Sequence, residues 1–126
     1  MSLILDAGAL IAYERASRTV QAFLVAAAES GDSVKTSTGV IGQVWRNGAR
    51  QVPLGQLLRG VEEIPLSSQR ACACGILLGL AGSTDVVDAS IVELAVSGDE
   101  ILTSDPSDIL RLANYSGKTL IITPVS

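Results

Sequence analysis

Three aspartates fall where an α/β chain places its chemistry. Asp6 closes the apolar run LIL, Asp105 closes EILTS, and Asp88 sits in DVVDASIVELA three positions after Asp85. The stretch TSDPSD, residues 103–108, adds Asp108 three positions beyond Asp105. Carboxylates that converge repel one another unless a divalent cation holds them, and an oxygen-only donor set suits magnesium or manganese. Taken singly, each acid is also an ordinary helix cap, because orphan N–H groups and the helix dipole both favour a carboxylate there. Asp85 and Asp108 look most like caps. Thr103 and Ser104, beside Asp105, can hydrogen-bond a carboxylate or a bound water, or merely form a turn. Arg15, on the helix after Asp6, and Arg46, on the helix after the second strand, can reach phosphate oxygens or remain solvated surface charges.

Composition narrows the chemistry further. There is no histidine, which removes serine–histidine triads and the usual zinc-hydrolase sites. Neither lysine, Lys35 or Lys118, ends a glycine-rich phosphate loop. Thirteen acidic against nine basic residues give a net charge of −4, so any nucleic-acid contact has to be local, made by a few arginines and by metal ions that offset the acids. Cys72 and Cys74 stand two apart in a predicted helix. Neighbours at that spacing point to different sides, so no bridge is expected and both read as small buried apolar side chains.

The elements that must position these residues follow from hydrophobic patterning. An apolar content of 48% over 126 residues suits one domain, residues 1–126. Strands are predicted at Leu3 to Leu5, Ser33 to Lys35, Glu63 to Leu66, Glu100 to Thr103 and Thr119 to Ile122. Helices fill the gaps as AGALIAYERA, RTVQAFLVAAAES, TGVIGQVWRNGAR, a segment opening at Pro53, QRACACGILLGLAG, DVVDASIVELAVSG and DILRLANYSG. Such alternation implies right-handed crossovers and fold class α/β, with a mostly parallel central sheet of about five strands and helices on both faces. Ligands of such sheets bind beyond the carboxyl ends of the strands, where the acids stand. No secretory leader is read at the N-terminus, and no apolar run approaches the roughly 20 residues of a membrane span. A cytoplasmic location without membrane attachment is therefore expected.

At this point the sequence resembles a family. LILDAGALIAYER, DVVDASIVELA and ILTSDPSDI look like the three acidic blocks of PIN-domain ribonucleases, over nearly the whole chain. The length, the bare single domain and the GVIGQVWR helix resemble most the toxin of a VapBC-type toxin–antitoxin pair. The resemblance implies a PIN-like domain with a magnesium or manganese site, hydrolysis of RNA phosphodiesters, homodimerisation, and inhibition by a small antitoxin. By motif position Asp6, Asp88 and Asp105 match the family's catalytic and metal-binding acids, with Asp85, Asp108 and Thr103 as auxiliaries. One departure stands out, since Gln43 occupies the place where the family usually carries a glutamate. Gln43 keeps a carbonyl acceptor but cannot act as an anion or base, so weaker metal binding and slower turnover are expected. Trp45, two residues on, either anchors an interface or is partly buried in the domain's own core.

Two other readings compete. A catalytically weak or silent PIN-like module would bind its partner or RNA without cleaving it. A phosphate-accepting receiver domain is also a small α/β sheet with strand-end acids. It needs an aspartate after its third strand, where this chain has EEIPLSS, and a late strand-end lysine, whereas Lys118 precedes the last strand.

Overall fold

The computed structural model describes Met1–Ser126. Five strands form one sheet, β1 (Ser2–Leu5), β2 (Ser33–Ser37), β3 (Glu62–Ile64), β4 (Glu100–Thr103) and β5 (Ile121–Pro124), in the order β3-β2-β1-β4-β5. Every pairing is parallel, with Leu3 opposite Val34 on one side of β1 and Leu5 opposite Leu102 on the other. Parallel strands covered on both faces read as continuous apolar runs, and β1 and β4 do so, with Ile4, Leu5, Ile101 and Leu102 fully buried.

The chain moves outward from β1 through β2 to β3, then returns to lay β4 on the other side of β1. The strand order therefore reverses between β1 and β4, the place where open α/β sheets bind ligands. Helices α1 (Ala7–Glu14), α2 (Arg18–Ser30), α3 (Thr38–Val44) and α4 (Val52–Leu58) belong to the outward crossovers, and α1 packs against each of the other three. Helices α5 (Ser68–Ala81), α6 (Val86–Leu94) and α7 (Pro106–Ser116) make the return and pack on one another. Stop signals sit where expected: Gly31, Gly82 and Gly117 take left-handed backbone after α2, α5 and α7. No single helix is long and apolar enough to cross a membrane.

Four expectations need adjusting. The helix predicted over residues 38–50 ends at Val44, and only a short 3-10 turn, Gly48–Arg50, follows. Gln51 makes the break: its Oε1 accepts from the amides of Arg46 at 2.7 Å and Asn47 at 3.0 Å, while its Nε2 donates to the Val44 carbonyl at 2.9 Å. The helix predicted to Gly98 stops at Leu94, because Asp99 takes the Val96 amide on Oδ2 at 2.9 Å. The last strand runs Ile121–Pro124 rather than Thr119 to Ile122, its Ile121 amide bonding the Asp99 carbonyl at 3.0 Å. Cys74 is buried as expected, but Cys72 is exposed and both thiols are free.

Asp99, 1% exposed, also accepts the Ser2 amide on Oδ1 at 2.7 Å, tying the start of β1 to the turn before β4. Asp99→Ala leaves two amides without their carboxylate, each costing about 1–3 kcal/mol when buried. Urea unfolding should show a loss of at least about 2 kcal/mol; an unchanged midpoint would contradict the role given to Asp99.

Candidate metal centre

Asp6 leaves β1 and becomes the N-cap of α1, its carboxylate accepting the Ala9 amide at 2.9 Å. Its own amide donates to the Leu102 carbonyl at 3.2 Å, which locks the end of β1 to β4. Burial pushes the Asp6 carboxyl above the usual range, while the Thr103 hydroxyl and the amides of Ala9, Gly8 and Ser104 pull it back. Thr103 is fully buried, and its Oγ1 also accepts the Asp105 amide at 2.9 Å.

Asp85 caps α6, taking the Val87 amide at 3.1 Å and the Asp88 amide at 3.0 Å. That fixes the first turn and aims Asp88. The Asp88 carboxyl is pushed up to about 7 by burial first, then by the charges of Asp85, Asp105, Asp6 and Asp108. No hydrogen bond opposes these causes. Asp105 occupies the N-cap position of α7 without a side-chain cap bond, and its carboxyl is raised chiefly by a hydrogen bond with Asp108.

Carboxylate oxygens of Asp88, Asp105 and Asp108 all lie within 4.8 Å of one another. Asp6 is outside that set but close enough for its charge to raise both Asp88 and Asp105. The predicted acids are therefore neighbours, and the tight trio takes Asp108 where the motif suggested Asp6. Gln43 is exposed on α3. Arg15 is the C-cap of α1, so the eight-residue helix separates it from Asp6 by roughly 12 Å. The exposed Arg46 folds back to donate to the carbonyls of Gly42 at 3.2 Å and Trp45 at 2.7 Å.

No lysine or arginine neutralises the trio, since the three ion pairs join Met1 to Asp32, Lys35 to Glu62 and Arg70 to Glu93. Hard oxygen donors under mutual repulsion fit a divalent cation such as magnesium or manganese. Two supports escaped the sequence reading. The Ser90 and Ser37 hydroxyls are hydrogen-bonded to each other at 2.9 Å, joining α6 to the cap of α3. Gly8 meets the turn after β4 so closely that a Cβ there would overlap the Ser104 side chain and stand 3.0 Å from its amide nitrogen. The only local signal is a glycine in the first turn of a helix opened by a strand-end acid.

No protein-family model matches this chain, and no curated protein does. The fold itself is a PIN-like α/β fold. VapBC2 from Rickettsia felis, in a crystal structure bound to a DNA fragment from their promoter, has a chain similar to this one with a TM-score of 0.73 and 15% sequence identity, over 100% of both chains.

The site generates two predictions. Folded Asp88 holds its proton to about pH 7, whereas an unfolded aspartate releases it near 3.8. Stability from this group is therefore lost as pH rises between those values. Metal-free protein should melt lower at pH 8 than at pH 5 by a margin that shrinks in Asp88→Asn; equal margins would contradict the assignment. Millimolar manganese should raise the melting temperature at pH 8 more than at pH 5.

Gly8→Ala should destabilise by about 1–3 kcal/mol through overpacking and weaken the manganese effect. Ser104→Gly on that background removes the overlapping atoms and should recover most of the loss. Failure of the double variant to recover would place the clash elsewhere.

Proposed function

We propose that the chain is a magnesium- or manganese-dependent endoribonuclease of the PIN type. In this reading it hydrolyses RNA phosphodiesters in the cytoplasm as the toxin of a toxin–antitoxin pair, and works as a homodimer restrained by a small antitoxin. The convergence of Asp88, Asp105 and Asp108 at the reversal of strand order carries the nuclease reading. The acidic sequence blocks and the fold shared with VapBC2 support the toxin assignment. An arginine or lysine on the antitoxin's tail would compete for the carboxylates by a charge-assisted contact, which explains inhibition without a change of shape.

Asp88, Asp105 and Asp108 would hold the cation, with Asp6 alongside. When bound, such a cation supplies Lewis-acid activation of water and neutralises charge gathering on the phosphate. The protein's own part is positioning. Asp85 fixes the turn that aims Asp88, and Thr103 holds the Asp105 amide and supports Asp6. Until they are neutralised, the acids repel the phosphates of the substrate.

A catalytically weak or silent module is the second reading, favoured by the neutral, exposed Gln43. The receiver reading fails on topology, because receivers order their strands 2-1-3-4-5 and this sheet runs β3-β2-β1-β4-β5.

Purified protein incubated with RNA should cleave it with magnesium or manganese and not in EDTA. Loss of one metal-contacting group is worth about tenfold to a hundredfold. Asp88→Asn and Asp108→Asn should each lower the rate by that much, and Gln43→Glu should change it by less than Asp108→Asn does. Metal-independent cleavage, or full activity in Asp88→Asn, would sink the reading; no cleavage of any RNA would favour the silent module.

A further inference from the structure

Trp45 is the only tryptophan. It ends α3 with extended backbone and is 40% exposed. Its ring is not loose. A Cβ on Gly48 would lie 3.0 Å from Cζ2 and one on Gly55 would lie 3.7 Å from Cη2, so two side-chain-free positions form the seat of the indole. The turn that carries it is pinned from within by Gln51, 9% exposed, whose bonds to Arg46, Asn47 and Val44 are joined by donation to the Glu14 carboxylate at 3.2 Å. Asn47 Oδ1 closes the turn on the Ala49 amide at 3.0 Å.

Cations are the neighbours of Trp45 in the chain. Arg46 and Arg50 are exposed, and neither pairs with a carboxylate. Arg46 uses one guanidinium nitrogen on two carbonyls, which leaves its remaining N–H groups for another acceptor. Because Gln51 bonds Glu14, the residue before Arg15, the C-terminus of α1 brings Arg15 to the same corner. In a chain of net charge −4, this corner gathers three arginines, Arg15, Arg46 and Arg50, against one carboxylate, Glu14, which Gln51 already engages, beside a half-open indole. Aromatic faces that stack bases, with cations along the backbone, are how single strands are held without sequence reading.

The patch is also at a useful distance from the acids. Ser37, the cap of α3, is bonded to Ser90, two residues past Asp88. Helix α3 then spans seven residues, roughly 10 Å, before Trp45.

We propose that Trp45, with Arg46, Arg50 and Arg15, is the single-stranded RNA clamp of this protein, stacking a base on the indole while the strand runs along α3 towards the acids. This rests on the endoribonuclease reading for its substrate. The clamp supplies the attraction that the acidic site cannot, and it explains how an acidic protein holds a polyanion.

The lone indole reports directly. Fluorescein-labelled single-stranded RNA of mixed sequence is titrated into the full chain in EDTA, following both indole emission and anisotropy. Emission should be quenched in step with the anisotropy rise. Trp45→Ala should weaken binding about tenfold, Trp45→Phe should retain most of it, and each of Arg46→Ala and Arg50→Ala should lower the salt slope by about 0.7. If Trp45→Ala lowers thermal stability, the arginine variants carry the test alone.

Binding without quenching and with unaltered affinity in the variants would overturn the clamp, as would no binding at all. Quenching that grows with protein concentration in the absence of RNA would also overturn it, making Trp45 a subunit contact. Metal-dependent cleavage that persists in any of these cases leaves the nuclease reading standing. Clamp binding with no cleavage in magnesium or manganese would remove the nuclease reading and keep the clamp.

Discussion

Like charges held together against their repulsion are what the carboxyl edge of this sheet is built around. Asp6, Asp85, Asp88, Asp105 and Asp108 come from three separate stretches, and the fold keeps them within each other's field. Hydrogen bonds decide where that strain collects. Asp6 receives amides and the Thr103 hydroxyl, all of which favour its charged form. Asp85 spends its carboxylate on two amides of α6. Asp88 has only burial and negative neighbours, so it is the group whose proton affinity rises to about 7. A cation would be drawn to the same place, because the neighbouring negative charges that add to its affinity for a proton also attract other positive charge.

The fold was legible where its causes were local or repetitive. All five strands and their alternation with helices follow from short β-branched runs between amphipathic stretches, and the parallel sheet follows from that alternation. What escaped was set by side chains distant in sequence. The break after Val44 depends on Gln51, a residue with no strong capping preference, reaching back to Val44, Arg46 and Asn47 and across to Glu14. The early end of α6 depends on Asp99 taking the Val96 amide, and Asp99 is itself held in place by its second bond, to the Ser2 amide far away in sequence. Helical patterning continues through both breaks, so pattern alone overran them.

The site divides the same way. That acids gather at the ends of β1 and β4 could be read from position, since a parallel sheet makes those ends adjacent wherever the order reverses. Which three touch could not. Asp108 carries the marks of a first-turn acid favoured by the helix dipole, and it is one; the same turn also points it at Asp105 and Asp88. A first-turn acid and a member of a carboxylate cluster are not exclusive roles for one residue. Gly8 was invisible for a simpler reason, because its requirement comes from Ser104, nearly the whole chain away.

Gln43 then takes on a different meaning. Read against the family pattern alone, a neutral amide in place of an acid is a lost ligand. In the folded protein a carboxylate from Asp108 already completes a close trio with Asp88 and Asp105, and Asp6 adds its charge from alongside. Another acid would add to repulsion that already keeps Asp88 protonated to about neutrality, and a cation would have to offset that too. The exposed amide on α3 costs the cluster none of its charge. The cluster is thus an electrostatic arrangement of its own, carboxylates that no lysine or arginine answers and that a cation can.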